Sequence, residues 1–259
     1  SGYIQSGLLM LDTTESVKAL NWAKKYSHSI KLLNREEHGE SFSQVNHNFR
    51  GGILMSRVGQ VRNPRLVKTL QMSLIAGGVT LLKHEKCLKL TIENHKIVGI
   101  ITSKQQLRSE SVILCTGAWL KSLLPKSTEL PFIEPVKGQM LLLQSQPDLI
   151  KNIVLGESHY IIPRKDGLVL VGSTLEHVGF DKSTTLQAKE TLLAAAYSLV
   201  PKLQNARFIR QWSGLRPGSK RGIPTICNHP EINGLYINSG QYRNGVVMAP
   251  GSGNLMANL

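Results

Sequence analysis

Nowhere in its 259 residues does the sequence contain G-x-G-x-x-G, the glycine turn that cradles the phosphates of a dinucleotide. Its only G-x-G, Gly251-Ser252-Gly253, has Met256 where a third glycine would stand, so a phosphate fingerprint is not expected there. Cysteine is scarce. Cys87, Cys115 and Cys227 lie far apart without a C-x-x-C, the pattern of reduced, buried thiols and not of disulfides or a zinc site. The eight histidines show no H-x-H or H-E-x-x-H spacing, so no metal site is expected. No apolar run approaches the roughly 18 to 20 residues of a membrane span. No charged, apolar, small-residue leader is recognisable either, so the expected compartment is the cytoplasm, without a membrane partner. Aromatic residues make up 5% of the chain, which leaves few platforms for stacking bases.

What is present is ordinary for a globular protein: 41% hydrophobic residues and a mean hydropathy of -0.10. The length suits one large domain or two small ones with a real core. The charge is the outlier, at +14. Lys202, Arg207, Arg210, Arg216, Lys220 and Arg221 fall in a 21-residue stretch, Pro201 to Arg221, that contains no acid. Such a field attracts polyanions, so a basic polyanion-binding protein is one alternative reading, although no nucleic-acid motif accompanies the charge.

Periodicity and punctuation outline the elements. Asp12-Thr13-Thr14 reads as the cap of a helix ending near Tyr26, and Asn63-Pro64 as the cap and first residue of a second. That second helix places Leu66, Val67, Leu70 and Leu74 on one face and stops at Gly77-Gly78. Val79 to Leu82, Leu88 to Ile92, Ile97 to Thr102 and Val112 to Cys115 read as strands, with Asn94-His95 as a hairpin turn. From Pro135 the pattern becomes antiparallel: Val136 to Gln144, His159 to Pro163 and Leu168 to Gly172, with Lys165-Asp166-Gly167 as a turn. A helix capped by Thr184 runs to Leu199, strands follow at Arg207 to Trp212 and Leu235 to Asn238, and a helix is expected to open after Pro250, near Gly251 to Asn254.

Seven segments, in order, carry a resemblance. They are S-G-L-L-M-L-D (Ser6 to Asp12), V-G-Q-V-R-N-P-R-L-V-K-T-L (Val58 to Leu70), V-I-L-C-T-G-A-W (Val112 to Trp119), P-V-K-G-Q-M-L (Pro135 to Leu141), Y-I-I-P-R-K-D-G-L-V-L-V-G-S-T-L-E (Tyr160 to Glu176), W-S-G-L-R-P-G-S (Trp212 to Ser219) and S-G-Q-Y-R-N-G-V-V-M-A-P (Ser239 to Pro250). Together they resemble the FAD-dependent D-amino-acid oxidase family, in its glycine oxidase, thiamine-pathway branch.

The resemblance implies an α/β (α+β) fold: a remnant of a flavin-binding α/β domain interleaved with a substrate domain built on a large antiparallel sheet. On that analogy residues 1–58 and 125–216 form the substrate domain and residues 59–124 and 217–259 an incomplete FAD-binding domain. Because the family's opening strand, glycine turn and helix have no counterpart here, the expectation is a shortened flavoenzyme, weakly active or inactive, with little FAD binding of its own. The alternative is a non-enzymatic remnant, or a subunit completed by a separate N-terminal FAD-binding piece. The oligomeric state is left open.

Oxidation of an amine by a flavin needs an anchor for the substrate carboxylate and a dry pocket, and no dedicated acid-base side chain. By itself Arg243, set between Gly240 and Gly245, reads more readily as a solvent-facing salt-bridge arginine; the resemblance of its Q-Y-R-N-G-V-V-M-A-P frame makes it that anchor. Tyr160 matches a substrate-holding tyrosine, or is a strand residue with a wet tip. Arg216 stands near the pocket in the family, or holds a loop. For FAD, the resemblance implicates Thr116, Gly117, Ala118 and Trp119 beside the flavin and the main chain of Cys87 at the adenine. Gly240, Gln241, Tyr242, Asn244, Gly245 and Val246 would line the flavin's pyrimidine side. On the residues alone, Thr116 to Trp119 is a plain βα turn and Cys87 a buried structural thiol. Two departures fall near the expected flavin: Arg221 where the family has an acid, and Cys227 where it has glycine.

Overall fold

The computed structural model describes residues 2–11, 15–25, 30–125 and 133–259. In chain order, β1 (Leu8–Leu11) leads to α1 (Glu15–Lys25), β2 (Lys31–Asn34), β3 (Gly51–Met55) and α2 (Asn63–Ala76). The strands β4 (Cys87–Glu93), β5 (Lys96–Thr102), β6 (Gln106–Arg108) and β7 (Val112–Leu114) follow. Next come β8 (Ile133–Gln144), β9 (Ile153–Leu155), β10 (Tyr160–Pro163), β11 (Leu168–Gly172) and α3 (Leu186–Leu199). The last elements are β12 (Arg207–Ser219), β13 (Thr225–Asn228), β14 (Leu235–Ser239) and α4 (Gly245–Ala257). An eight-stranded, mostly antiparallel sheet has the order β12-β8-β11-β10-β9-β1-β3-β2.

The chain divides into two compact units, Ser1–Thr80 with Gln139–Thr174 and Ser183–Ser213, and Leu81–Gly138 with Leu175–Lys182 and Gly214–Leu259. β8 and β12 therefore each contribute residues to both. In the first unit α3 lays Ala188, Leu192, Ala196 and Leu199, all buried, on the sheet, where Leu141, Leu143, Val169 and Val171 meet them. The spacing of those four residues keeps them on one helical stripe. Thr185 caps α3, its hydroxyl accepting from the Ala188 amide at 3.2 Å.

In the second unit β7 and β14 run parallel, Leu235 opposite Val112 and Ile237 opposite Leu114, and β13 pairs antiparallel with β14. The β4-β5-β6 meander turns at Asn94-His95, both left-handed with φ of 46° and 59°, the backbone a two-residue hairpin turn demands. Leu90, Ile97, Leu114, Leu120, Ile133, Leu235 and Ile237 form this unit's core.

Several expectations shift. The cap of α3 is Thr185, not Thr184, and the cap position of α2 is Arg62, with Asn63 already helical. Val79 to Leu82 is no strand; Val79 instead donates to Leu74 and closes the end of α2, and no neighbouring strand pairs with it among the described residues. The last helix opens at Gly245, and Pro250 lies inside it. A proline so near a helix start removes one amide bond without ending the helix, so the punctuation misplaces the boundary. The Asp12-Thr13-Thr14 cap lies outside the described residues.

Candidate flavin and substrate site

The carboxyl ends of parallel strands are where α/β sheets receive ligands, and in the second unit the ends of β7 and β14 are tied together. Ser239, fully buried, donates its hydroxyl to the Gly117 carbonyl at 3.0 Å. After β7 the chain makes a 3-10 turn, Gly117–Ser122, that buries Ala118 and leaves Trp119 45% exposed. Thr116 Oγ1, at the strand end, is buried with no hydrogen-bond partner among the described residues. A buried hydroxyl without a partner costs free energy unless a ligand satisfies it.

After β14 the chain turns sharply. Gly240 has φ 87° and Tyr242, with a side chain, still takes φ 48°, held there as its amide donates to the Pro217 carbonyl at 3.2 Å. Asn244 donates to the Gln241 carbonyl at 2.9 Å, and the Gln241 side-chain amide donates to Asn238. Arg243 is exposed, as is Asn244 beside it, and makes no ion pair or hydrogen bond among the described residues. The α4 helix then starts, and the amides of Gly245, Val246 and Val247 have no acceptor within the helix. Helix amides so placed favour negative charge beside them.

The other candidates are built into the sheet. Arg216 on β12 is half-buried, its guanidinium flat against Gly138 of β8: a Cβ at 138 would stand 2.2 Å from both terminal nitrogens. Tyr160 opens β10, half-buried, its hydroxyl end lying against Gly172 and 4.0 Å from the Met140 thioether. Cys87 begins β4, half-buried, and burial pushes its thiol up, away from the thiolate a reactive cysteine needs. Cys227 packs on the second core opposite Ile237.

These residues fit the ring end of a flavin. They offer an unpaired hydroxyl, a loop with an exposed indole, a helix start with open amides and an unpaired guanidinium. They do not include a cradle for its pyrophosphate, since the sequence contains no G-x-G-x-x-G and no strand, glycine turn and helix of that kind occurs among the described residues.

Sequence reasoning missed one part of this unit. Lys137, buried within β8, donates to Asp181 at 2.8 Å and pairs with Glu176 at 3.1 Å. A lysine inside the run Val136 to Gln144, otherwise apolar or neutral, was the available signal, because a buried ammonium requires carboxylate partners.

Known proteins share this architecture. The glycine oxidase of Pseudomonas aeruginosa is 41% identical over 255 residues, which are 98% of this chain and 70% of that protein. The crystal structure of a glycine oxidase from Bacillus cereus superposes with a TM-score of 0.93 at 29% identity, covering 99% of this chain and 72% of that one. The glycine oxidase structure from Geobacillus kaustophilus gives 0.92 at 26% identity, covering 100% and 71%. No helix among the described residues is long and apolar enough to cross a membrane. The FAD dependent oxidoreductase family matches residues 1–259, so the cofactor expected from the sequence is the family's own, and the chain belongs to that family.

Proposed function

We propose that this chain carries the substrate-binding and flavin-ring half of a glycine oxidase, which oxidises a small amino acid, with glycine the first candidate. The observation that carries this reading is Arg243, exposed and unpaired on a braced left-handed turn at the carboxyl end of a parallel strand. Its planar fork of donors takes a carboxylate in bidentate fashion. Arg216, whose guanidinium lies against Gly138, adds a second positive charge. The turn of Gly240 to Val246 and the loop of Thr116 to Trp119 hold the ring, with Cys87 contributing main chain near the adenine. Residues 1–58 and 125–216 serve as the substrate domain and 59–124 and 217–259 as the flavin side.

FAD, when bound, accepts hydride from the substrate α-carbon. This chain's residues orient that carbon: with the carboxylate fixed at Arg243, the amine and α-hydrogen have few remaining orientations, which is where the rate gain arises. The product of that two-electron oxidation would be an imine, which hydrolyses in water to an oxo acid and ammonia, with oxygen as the final electron acceptor leaving as peroxide.

A second reading concerns the cofactor. The 259 residues hold FAD weakly on their own, because ring contacts remain and pyrophosphate contacts do not. Mixing the purified chain with FAD and gel-filtering it tests this: recovery of stoichiometric yellow protein would overturn it. Activity is tested in a chimera that adds the unmatched part of the Pseudomonas aeruginosa relative to this chain. Peroxide production from glycine is expected, and a yellow but inactive chimera would refute the assignment.

A further inference from the structure

Residues Leu175–Lys182 interrupt the first unit's stretch of chain and belong to the second. This eight-residue strap is fastened unusually well for a loop. The amide and carbonyl of Lys137 exchange hydrogen bonds with Glu176, both at 2.9 Å. The Lys137 ammonium then reaches the carboxylates at both ends of the strap, Glu176 at 3.1 Å and Asp181 at 2.8 Å. The Asp181 hydrogen bond raises the Lys137 pKa above its ordinary value, so the ammonium stays charged. A further contact places His177 Nδ1 3.1 Å from Glu134 Oε1.

The strap is tied at its carboxylates: Glu176, 25% exposed, and Asp181, 45% exposed, both reach Lys137 on β8, itself only 2% exposed, while Val178 and Phe180 between them remain 46% and 51% exposed. Phe180 faces Trp119, ring centroids 5.6 Å apart and tilted by 36°. His177 and Tyr242 line one cleft of about 540 Å³, so the strap and the Arg243 turn share a wall.

We propose that Lys137 is a positioning residue of the oxidase site: by locking both ends of the strap Leu175–Lys182, it holds Phe180 against Trp119 and so fixes the apolar wall beside the flavin-side loop. That Trp119 borders the flavin rests on the function proposed above; the coupling of Lys137 to Trp119 does not. A lock of this kind matters because an indole free to rotate leaves the ring pocket open to water.

The test uses the chain itself, without cofactor. Of its three tryptophans, Trp22 and Trp212 are replaced by Phe so that emission reports Trp119 alone. Lys137→Met is expected to redden that emission and about double its acrylamide quenching, since the Phe180 ring leaves one face of the indole. Phe180→Ala should match it, and Lys137→Arg should restore the parent values. A Glu176→Gln, Asp181→Asn variant serves if Lys137→Met does not fold, because it leaves neutral groups of the same shape. In a background retaining only Trp212, none of these changes should move the emission. Unchanged Trp119 quenching in a folded Lys137→Met or double-carboxamide variant would overturn the proposal, as would equal changes at Trp212. Neither result depends on flavin or turnover. In the active chimera, Lys137→Met should lower kcat while leaving KM for glycine within about twofold, since carboxylate binding is assigned elsewhere.

Discussion

Helices α2 and α3 are each fourteen residues long, yet α3 buries Ala188, Leu192, Ala196 and Leu199 while α2 buries no side chain at all. Both carry an apolar stripe. On α2, Val67, Leu70, Met72, Leu74 and Ile75 are each between 45% and 62% exposed. Polar contacts tie its entry: Arg62 pairs with Asp166, Arg164 donates to the Gln60 side chain at 2.6 Å, and Gln60 donates to the Pro163 carbonyl at 2.8 Å. The difference teaches that a helical stripe states what a segment can bury, and the rest of the fold decides whether it does. A contiguous exposed apolar face of this kind is what an interaction surface looks like.

Truncation should separate the two helices most sharply. Leu192→Ala is expected to cost about 3 kcal/mol by urea unfolding, from lost burial and the cavity left behind. Leu70→Ala should change stability by less than about 0.5 kcal/mol, the usual effect at an exposed site. Equal costs would erase the contrast. Hydrogen exchange offers a second view, with the α3 amides protected toward the global limit and those of α2 exchanging by local opening.

Acid acts on both units through one buried and one half-buried imidazole, and more gently. Burial holds His229, in the second unit, below its ordinary pKa, with the nearby Glu231 charge partly opposing the shift, and burial does the same to His159 in the first. As pH falls through about 6.5 the unfolded chain takes up these protons before the folded one does. Stability is therefore flat above that value, declines as pH drops below it, and levels once the folded values are passed. His229→Gln should flatten part of that decline in a melting-temperature profile from pH 8 to 5; an unaltered profile would remove His229 from the account.

The smallest effect belongs to the tether of α2. The hydrogen bond from Arg62 holds the Asp166 carboxyl below its usual range, with burial opposing. Its contribution is present above about pH 4 and fades as pH falls through the folded value. The pair is partly exposed, so Asp166→Asn should cost under about 1 kcal/mol at neutral pH. A larger loss would mean that polar contacts at its entry hold α2 more firmly than exposed ion pairs ordinarily do.

Strands with a strong period and clear turns were legible in the sequence: β5, β10 and β11 fall within a residue of their expected bounds, and the Asn94-His95 and Lys165-Asp166-Gly167 turns stand where their residue types demand. The short strands β1, β2 and β3 were not, because four or five residues carry too little period to count and their partners lie far along the chain. In the site, the glycine-flanked Arg243 turn was readable from local backbone requirements. The Lys137 clamp was not, since it joins residues some forty positions apart and no local rule couples them.

The central claim is that Arg243 grips the substrate carboxylate. Its most direct measurement is the KM for glycine of the Arg243→Met variant in the flavin-loaded chimera. Loss of a charge-assisted bidentate contact worth about 3 kcal/mol predicts a rise of roughly 100-fold with the flavin spectrum unchanged. A KM within about twofold of the parent would contradict the account, because so small a change cannot represent a lost carboxylate anchor.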